Sequence, residues 1–226
     1  VITTATDCQN KTAIDILAKR ANCRIEPFSK LKLANSAIVN NETLNIFSDY
    51  NLYLQETKNI NIYPLSQLKS DLVQKNFSVI ISNKRYNFAK KYLQLIPQNI
   101  IIGVGCRRGV SSKKIKRAVN KTLKNLNLKE NSIKNLATID LKSDERGLLE
   151  YAEEKSFNID IISREKIKKA ELEVSYSDFV KKVVGVGSVC EPAALLSSNK
   201  GELIFSKTKF DEVTIAVVEE EVNFEK

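Results

Sequence analysis

The chain has 226 residues, 42% hydrophobic and 28% charged, which is enough to bury a core and is sized for one large or two small domains. It contains no histidine, which excludes Ser-His-Asp triads, Cys-His dyads and His-ligated zinc within these residues. Lys and Arg number 36 against 27 Asp and Glu, a net charge of +9, which suits a polyanion: nucleic acid, an anionic membrane, or a small molecule with several carboxylates or phosphates.

In chain order, Ile14, Leu17, Ala18 and Ala21 recur at helical spacing and predict a helix over 11–22. A second helix is expected over 31–39, with Ser29 as its N-cap. Residues 43–47 and 51–54 read as a strand pair around Asp49-Tyr50, and 77–82 as a short buried strand. A boundary is drawn near Pro97, separating domains 1–96 and 97–226. Beyond it lie a buried strand at 99–104 and a helix at 113–127. Ser111 or Ser112 caps that helix, and Ile115, Val119, Leu123 and Leu126 form its inward face. A strand at 136–141, a helix at 145–155 and a strand at 159–162 follow. A helix at 191–198 and strands at 202–206 and 212–218 complete the chain. Strands alternating with helices predict an α/β fold: a small α/β domain, then a three-layer α/β/α sandwich whose mixed sheet has an antiparallel final pair.

Four segments bear chemistry. Gly103-Val-Gly105-Cys106-Arg107-Arg108-Gly109 joins a strand to a helix, so backbone amides and two guanidinium groups can meet an anion. Its GxGxxxG spacing is one residue longer than the dinucleotide fingerprint, and it lacks the Lys-Ser/Thr ending of a phosphate-binding loop. Asp140 and Lys142 follow a predicted strand at the carboxyl edge where α/β ligand sites lie, and they share a face if that strand continues. Asp144 and Glu145 fit the start of the next helix and its dipole. In Gly185-Val-Gly187-Ser188-Val-Cys190-Glu191-Pro192, Ser188 reads as a cap or a donor to substrate. Glu191 reads as a general acid or base, and Cys190, without an imidazole partner, as packing. Lys113, Lys116, Arg117, Lys121 and Lys124 give the 113–127 helix a basic solvent side with almost no interleaved aromatics, which argues against a stacking platform for single strands.

Cys8, Cys23, Cys106 and Cys190 form no CxxC pair and read as free thiols, so neither a protein metal site nor a disulfide framework is expected. No apolar run of about 18 residues and no signal peptide is visible, and a cytoplasmic protein off the membrane is expected. Because Met is absent and Val1-Ile2-Thr3-Thr4 reads as the end of a strand, a piece of a longer protein is expected.

Three ordered motifs resemble the CbiG family, cobalt-precorrin-5A hydrolases of anaerobic cobalamin biosynthesis. They are the segments at 103–109, 139–145 (Ile-Asp-Leu-Lys-Ser-Asp-Glu) and 188–195 (Ser-Val-Cys-Glu-Pro-Ala-Ala-Leu). Ser177-Asp-Phe179-Val180 and Lys207 fit the same pattern, and Thr3-Thr4-Ala5-Thr6-Asp7 with Ala13-Ile14-Asp15 is similar to the junction before the family's central domain. The resemblance covers the central and C-terminal domains, the latter also similar to the stand-alone protein CobE. The family's usual first domain has no counterpart here. It implies opening of the ring A δ-lactone of cobalt-precorrin-5A and release of the C20 fragment as acetaldehyde. Asp140, Asp144 and Glu191 are then the acid/base candidates. Gly103, Gly105, Cys106, Arg107, Arg108, Gly109, Lys142, Ser188 and Lys207 are the substrate-binding candidates. The cobalt belongs to the substrate, so no cofactor is expected. The expected partners are the cobalt-corrinoid polycarboxylate and neighbouring pathway enzymes, with no nucleic acid. A non-catalytic corrinoid-binding or carrier module is the alternative.

Overall fold

The computed structural model describes residues 13–52, 59–69, 77–87, 92–172 and 189–224. They form two compact units, one of residues up to 98 joined by 222–224, the other of 99–221. The candidates Ser188 and 177–180, the 3–7 junction and Cys8 lie outside the described residues.

In the first unit, α1 (Ile14–Arg20) is shorter than expected and stops before Asn22, whose φ of 47° breaks the helix. Strand β1 (Cys23–Glu26) follows, then α2 (Leu31–Val39). Ser29 does not cap α2: it sits inside a preceding 3-10 turn, Phe28–Lys30, and Lys30 holds the cap position without a side-chain bond. β2 (Leu44–Ser48) is buried along its whole length. It does not pair with 51–52. Its neighbours are β3 (Ile60–Tyr63) and β4 (Ser78–Ile81), both parallel to it; residues 51 and 52 are not strand, and 53–54 lie outside the described residues. A strand buried on both faces needs a partner on each side, and parallel partners need crossovers rather than tight turns. With β5 (Tyr92–Pro97), the order is β1-β5-β4-β2-β3, and only β1 runs antiparallel to its neighbour. Ile14, Leu17, Ile46, Val79, Leu93 and Leu95 form the core, which Phe224 completes from the far end of the chain.

In the second unit, β6 (Ile100–Cys106) carries the apolar run. It lies between β7 (Ile133–Ile139), parallel to it, and β10 (Val213–Glu219), antiparallel to it. β8 (Asn158–Ile162) and β9 (Glu202–Phe210) close the order β8-β7-β6-β10-β9. Side chains alternate across a strand. Ile100, Ile102 and Val104 therefore meet Ile115, Val119 and Leu123 of α3 (Ser112–Asn125) and Leu148 and Tyr151 of α4 (Arg146–Lys155). On the other face, Ile101 packs with Ala193, Ala194 and Leu195 of α6 (Cys190–Ser197). This is the expected α/β/α sandwich with an antiparallel last pair; β9 runs four residues beyond the expected end at 206. The helix α5 (Arg164–Leu172), which apolar periodicity does not announce, starts where the Ser163 hydroxyl accepts the Lys166 amide.

Two details decide the shape of the rim. β7 ends at Ile139 and the chain turns through a 3-10 segment, Asp140–Lys142, so Asp140 and Lys142 do not share a strand face. The Asp140 carboxylate accepts the Leu141 amide at 2.8 Å and the Ser143 hydroxyl donates to the Asp140 carbonyl at 2.8 Å, a local turn that competes with the ladder. Gly103 lies directly under α6: a Cβ there would stand 2.0 Å from the Cys190 carbonyl oxygen. Gly109, by contrast, has φ 77° with open space around it. Gly103→Ala should therefore destabilise by roughly 1–3 kcal/mol or more through overpacking, and Gly109→Ala by about 1 kcal/mol through backbone strain alone. Urea denaturation of the two variants, read as midpoint shifts, checks that order.

Candidate functional site

A cleft of about 250 Å³ opens at the carboxyl edge of β6, beside the antiparallel β10–β9 pair. The sheet register builds it. Gly105 is level with Thr214 and Thr214 with Lys209, so these three form one row across the sheet. Adjacent strands lie about 4.8 Å apart, which puts Lys209 roughly 10 Å from Gly105 on the same face. A Cβ at Gly105 would meet the Thr214 Oγ1 at 2.5 Å and the Val189 side chain at 3.2 Å, so glycine leaves room where α6 begins. The Arg107 amide donates to the Glu212 carbonyl at 2.9 Å and ties the rim to the β9–β10 turn. Cys106, Arg107, Lys142, Val189, Lys207, Lys209, Asp211 and Glu212 complete the lining.

Ion pairs sort these charges. Lys142 reaches Glu145 at 3.3 Å. Asp211 and Glu212 are both held by Lys114, the first at 3.1 Å. Among the described residues, Arg107 and Lys209 have no ion-pair partner, so the cleft presents net positive charge. Behind the rim, Glu145 is 3% exposed. It holds the N-cap position of α4 without a side-chain cap bond, accepts the Gly109 amide at 3.0 Å and faces Arg108 at 3.5 Å. Burial pushes its carboxyl up, but the Gly109 amide, Lys142 and Arg108 outweigh that and hold it below the ordinary glutamate range.

The sequence of this second unit, residues 100–218, matches the family model described as the cobalamin synthesis G C-terminus. The chain belongs to the CbiG family. Residues 12–97 match the cobalamin biosynthesis central region. The chain is 30% identical over 229 residues to a protein from Priestia megaterium named cobalt-precorrin-5A hydrolase, covering 96% of this chain and 60% of that one. It is 29% identical to the protein of the same name from Salmonella typhimurium, covering 96% and 63%. The chain thus spans about three fifths of the length of these curated relatives. Among solved structures, CobE, a protein from the cobalamin biosynthetic pathway, is 27% identical, with 55% of this chain and 92% of that one covered and a TM-score of 0.46. The cobalamin biosynthesis protein from Agrobacterium tumefaciens is 28% identical, with 54% and 98% covered and a TM-score of 0.45.

The structure gathers Gly105, Cys106, Arg107, Lys142 and Lys207 on this CbiG cleft. Gly103 lies under α6 instead, and Gly109 serves the Glu145 contact. Arg108 leans away, paired with Asp144 at 2.9 Å as well as with Glu145. Of the three acid/base candidates, Asp140 pairs with Arg164 at 3.1 Å and accepts its amide, anchoring the start of α5. Burial raises the Asp140 carboxyl; the Arg164 amide and guanidinium outweigh this and hold it below the ordinary aspartate range. Asp144 is exposed. Glu191 is 7% exposed and accepts the Lys207 amide at 2.7 Å, which connects it to the cleft through the main chain of β9. Burial raises the thiols of Cys190 and, with Glu145, of Cys106, so neither is an activated nucleophile. Lys209 and Thr214 escaped the sequence reading. The alternation of Lys207 and Lys209 on one strand was the available signal for the first; nothing local marks the second. Among the described residues, no group of Cys, Asp and Glu could hold a metal ion, and no helix is long and apolar enough to cross a membrane.

The Glu145 network has a pH signature. A carboxyl whose pKa is lower folded than unfolded supplies stability that is complete above its unfolded pKa and lost as pH falls through the folded value. Its ordinary value is 4.5, so the loss should occur below that pH. Glu145→Gln should lower stability at pH 7 and flatten the acid limb of stability against pH, measured as urea midpoints from about pH 7 down to about pH 3.

Proposed function

We propose that this chain carries the central and C-terminal parts of a cobalt-precorrin-5A hydrolase. On this reading it binds the peripheral carboxylates of the cobalt-corrinoid through the cleft of the second unit. The observation that carries the reading is the cleft's uncompensated charge: among the described residues Arg107 and Lys209 stand without ion-pair partners, and Lys209 lies roughly 10 Å, two strand spacings, from the Gly105 backbone. At about 250 Å³ the cleft falls below the roughly 300–1,000 Å³ that encloses a drug-sized ligand. It suits one edge of a macrocycle with its acetate and propionate arms rather than the whole ring. Family membership and the names of the relatives support a cobalt-corrinoid as that macrocycle.

The reaction adds water to the ring A δ-lactone and then releases the C20 fragment as acetaldehyde. It calls for a carboxylate to take a proton from water and for donors to the developing oxyanion. Glu191 is the acid/base candidate that this reading favours. It is buried, sits in the first turn of α6 and touches the cleft wall at Lys207. Asp140 and Asp144, each engaged by an arginine, act as positioning groups for α5 and the rim. Main-chain amides near Gly105 and the Arg107 guanidinium serve the oxyanion and the carboxylate arms. The cobalt enters and leaves with the substrate, and no protein cofactor is invoked.

A second reading has its own support. All three sequence-derived carboxylates already hold a partner, which suits a corrinoid-binding or carrier module as well as a catalyst. Anaerobic incubation with cobalt-precorrin-5A and an acetaldehyde trap separates the two. Catalytic release of acetaldehyde, abolished in Glu191→Gln and retained in Asp140→Asn, is the expected result. Tight binding without release supports the carrier. In either case Arg107→Ala and Lys209→Ala should each weaken corrinoid binding by about tenfold, the loss of one charge-assisted contact, measured by absorbance titration.

A further inference from the structure

The cleft holds a conflict that its own neighbours resolve. Its lining includes two acidic residues, Asp211 and Glu212, a few residues from Lys209, and the Glu212 carbonyl accepts the Arg107 amide. Turned inward, they would neutralise the two cations that make the cleft attractive to an anion. They do not turn inward. The two-residue turn between β9 and β10, with Asp211 in the left-handed region at φ 56°, presents both carboxylates to α3. There the Lys114 ammonium pairs with both of them, with Asp211 at 3.1 Å and with Glu212. The neighbouring Phe210 ring lies under Lys121, with the ammonium 5.5 Å from its centroid, so the turn is gripped by α3 at two points.

We propose that Lys114 is a positioning residue that keeps the cleft receptive to anions by sequestering Asp211 and Glu212 on the α3 side. The proposal rests on the reading that the cleft binds a polycarboxylate. Its physics is a competition for two carboxylates between one outside cation and two inside ones. The Lys114 ammonium, raised above its ordinary basicity by Glu212 and Asp211, remains charged throughout the physiological range. Lys114 is 45% exposed and is not among the residues that line the cleft, so its effect on binding is indirect.

Cys106, half-buried on the cleft wall, serves as a built-in probe of the local potential. Its alkylation by uncharged iodoacetamide and its reaction with dianionic dithiobis(nitrobenzoate) both require the thiolate, so their rate ratio cancels any change in thiolate fraction. The ratio then reports attraction of the anionic reagent to the cleft. It is measured on the full chain by mass spectrometry of the Cys106 peptide. In Lys114→Met the ratio of anionic to neutral rates should fall by at least about threefold at low ionic strength, and the difference should shrink as salt screens it. Lys114→Arg should keep the parent ratio. Lys114→Met combined with Asp211→Asn and Glu212→Gln should restore it, which loss of packing alone would not do. An unchanged ratio in Lys114→Met, or failure of the triple variant to recover, overturns the proposal. Affinity for cobalt-precorrin-5A should follow the same order across these variants. Should the parent chain fail to bind the corrinoid while the ratio behaves as expected, the substrate reading falls and the role of Lys114 stands.

Discussion

A carboxylate taken out of water costs several kcal/mol unless charges and donors surround it. Glu145 is such a group, and the rim of the second unit is arranged around its needs. Its oxygens collect the Gly109 amide, the Lys142 ammonium and the Arg108 guanidinium. Those partners come from the segments after β6 and β7, so one buried charge turns two loops into a single rigid edge. Gly109 takes the left-handed turn that aims its amide inward. Gly147 admits the Val110 carbonyl so closely, 2.0 Å from where a Cβ would stand, that α4 can begin beside that edge. Lys142 reaches the cleft because Glu145 holds it there.

The cleft itself follows from charge sorting. Lys142 answers to Glu145, Asp211 and Glu212 answer to Lys114, and Asp140 and Asp144 answer to arginines. What remains facing the opening is positive. At this edge Lys207 and Lys209 of β9 and Arg107 of the loop after β6 line one cleft. Its positive charge attracts anions, and no aromatic ring is among its lining residues to stack a base.

Much of the second unit was legible beforehand. The run of Ile100, Ile101 and Ile102 demanded a strand buried on both faces, and Ile115, Val119 and Leu123 demanded an amphipathic helix beneath it. The first unit was harder. Apolar periodicity marks β2 as buried but says nothing about its partners, and 60–63 and 78–81 lie far along the chain. β7 ends at Ile139 although Leu141 prolongs the apolar run, because the Asp140 side chain captures the next amide and turns the backbone. α5, with the sequence REKIKKAEL, has only three apolar residues, too few to show a clear stripe.

By itself, the sequence determined the order of strands and helices around the glycine loop, the basic balance, the exclusion of imidazole chemistry and the ordered motifs of the CbiG family. These are properties of neighbouring residues and of composition. Only the tertiary structure decided which charges cancel and which face the cleft. Lys114 and Glu212 stand 98 positions apart, and Arg108 and Asp144 stand 36 apart. Coulombic pairing acts over a few ångströms of space and is indifferent to separation along the chain. The candidate site became visible only when the sheet had brought β6, β9 and β10 into register.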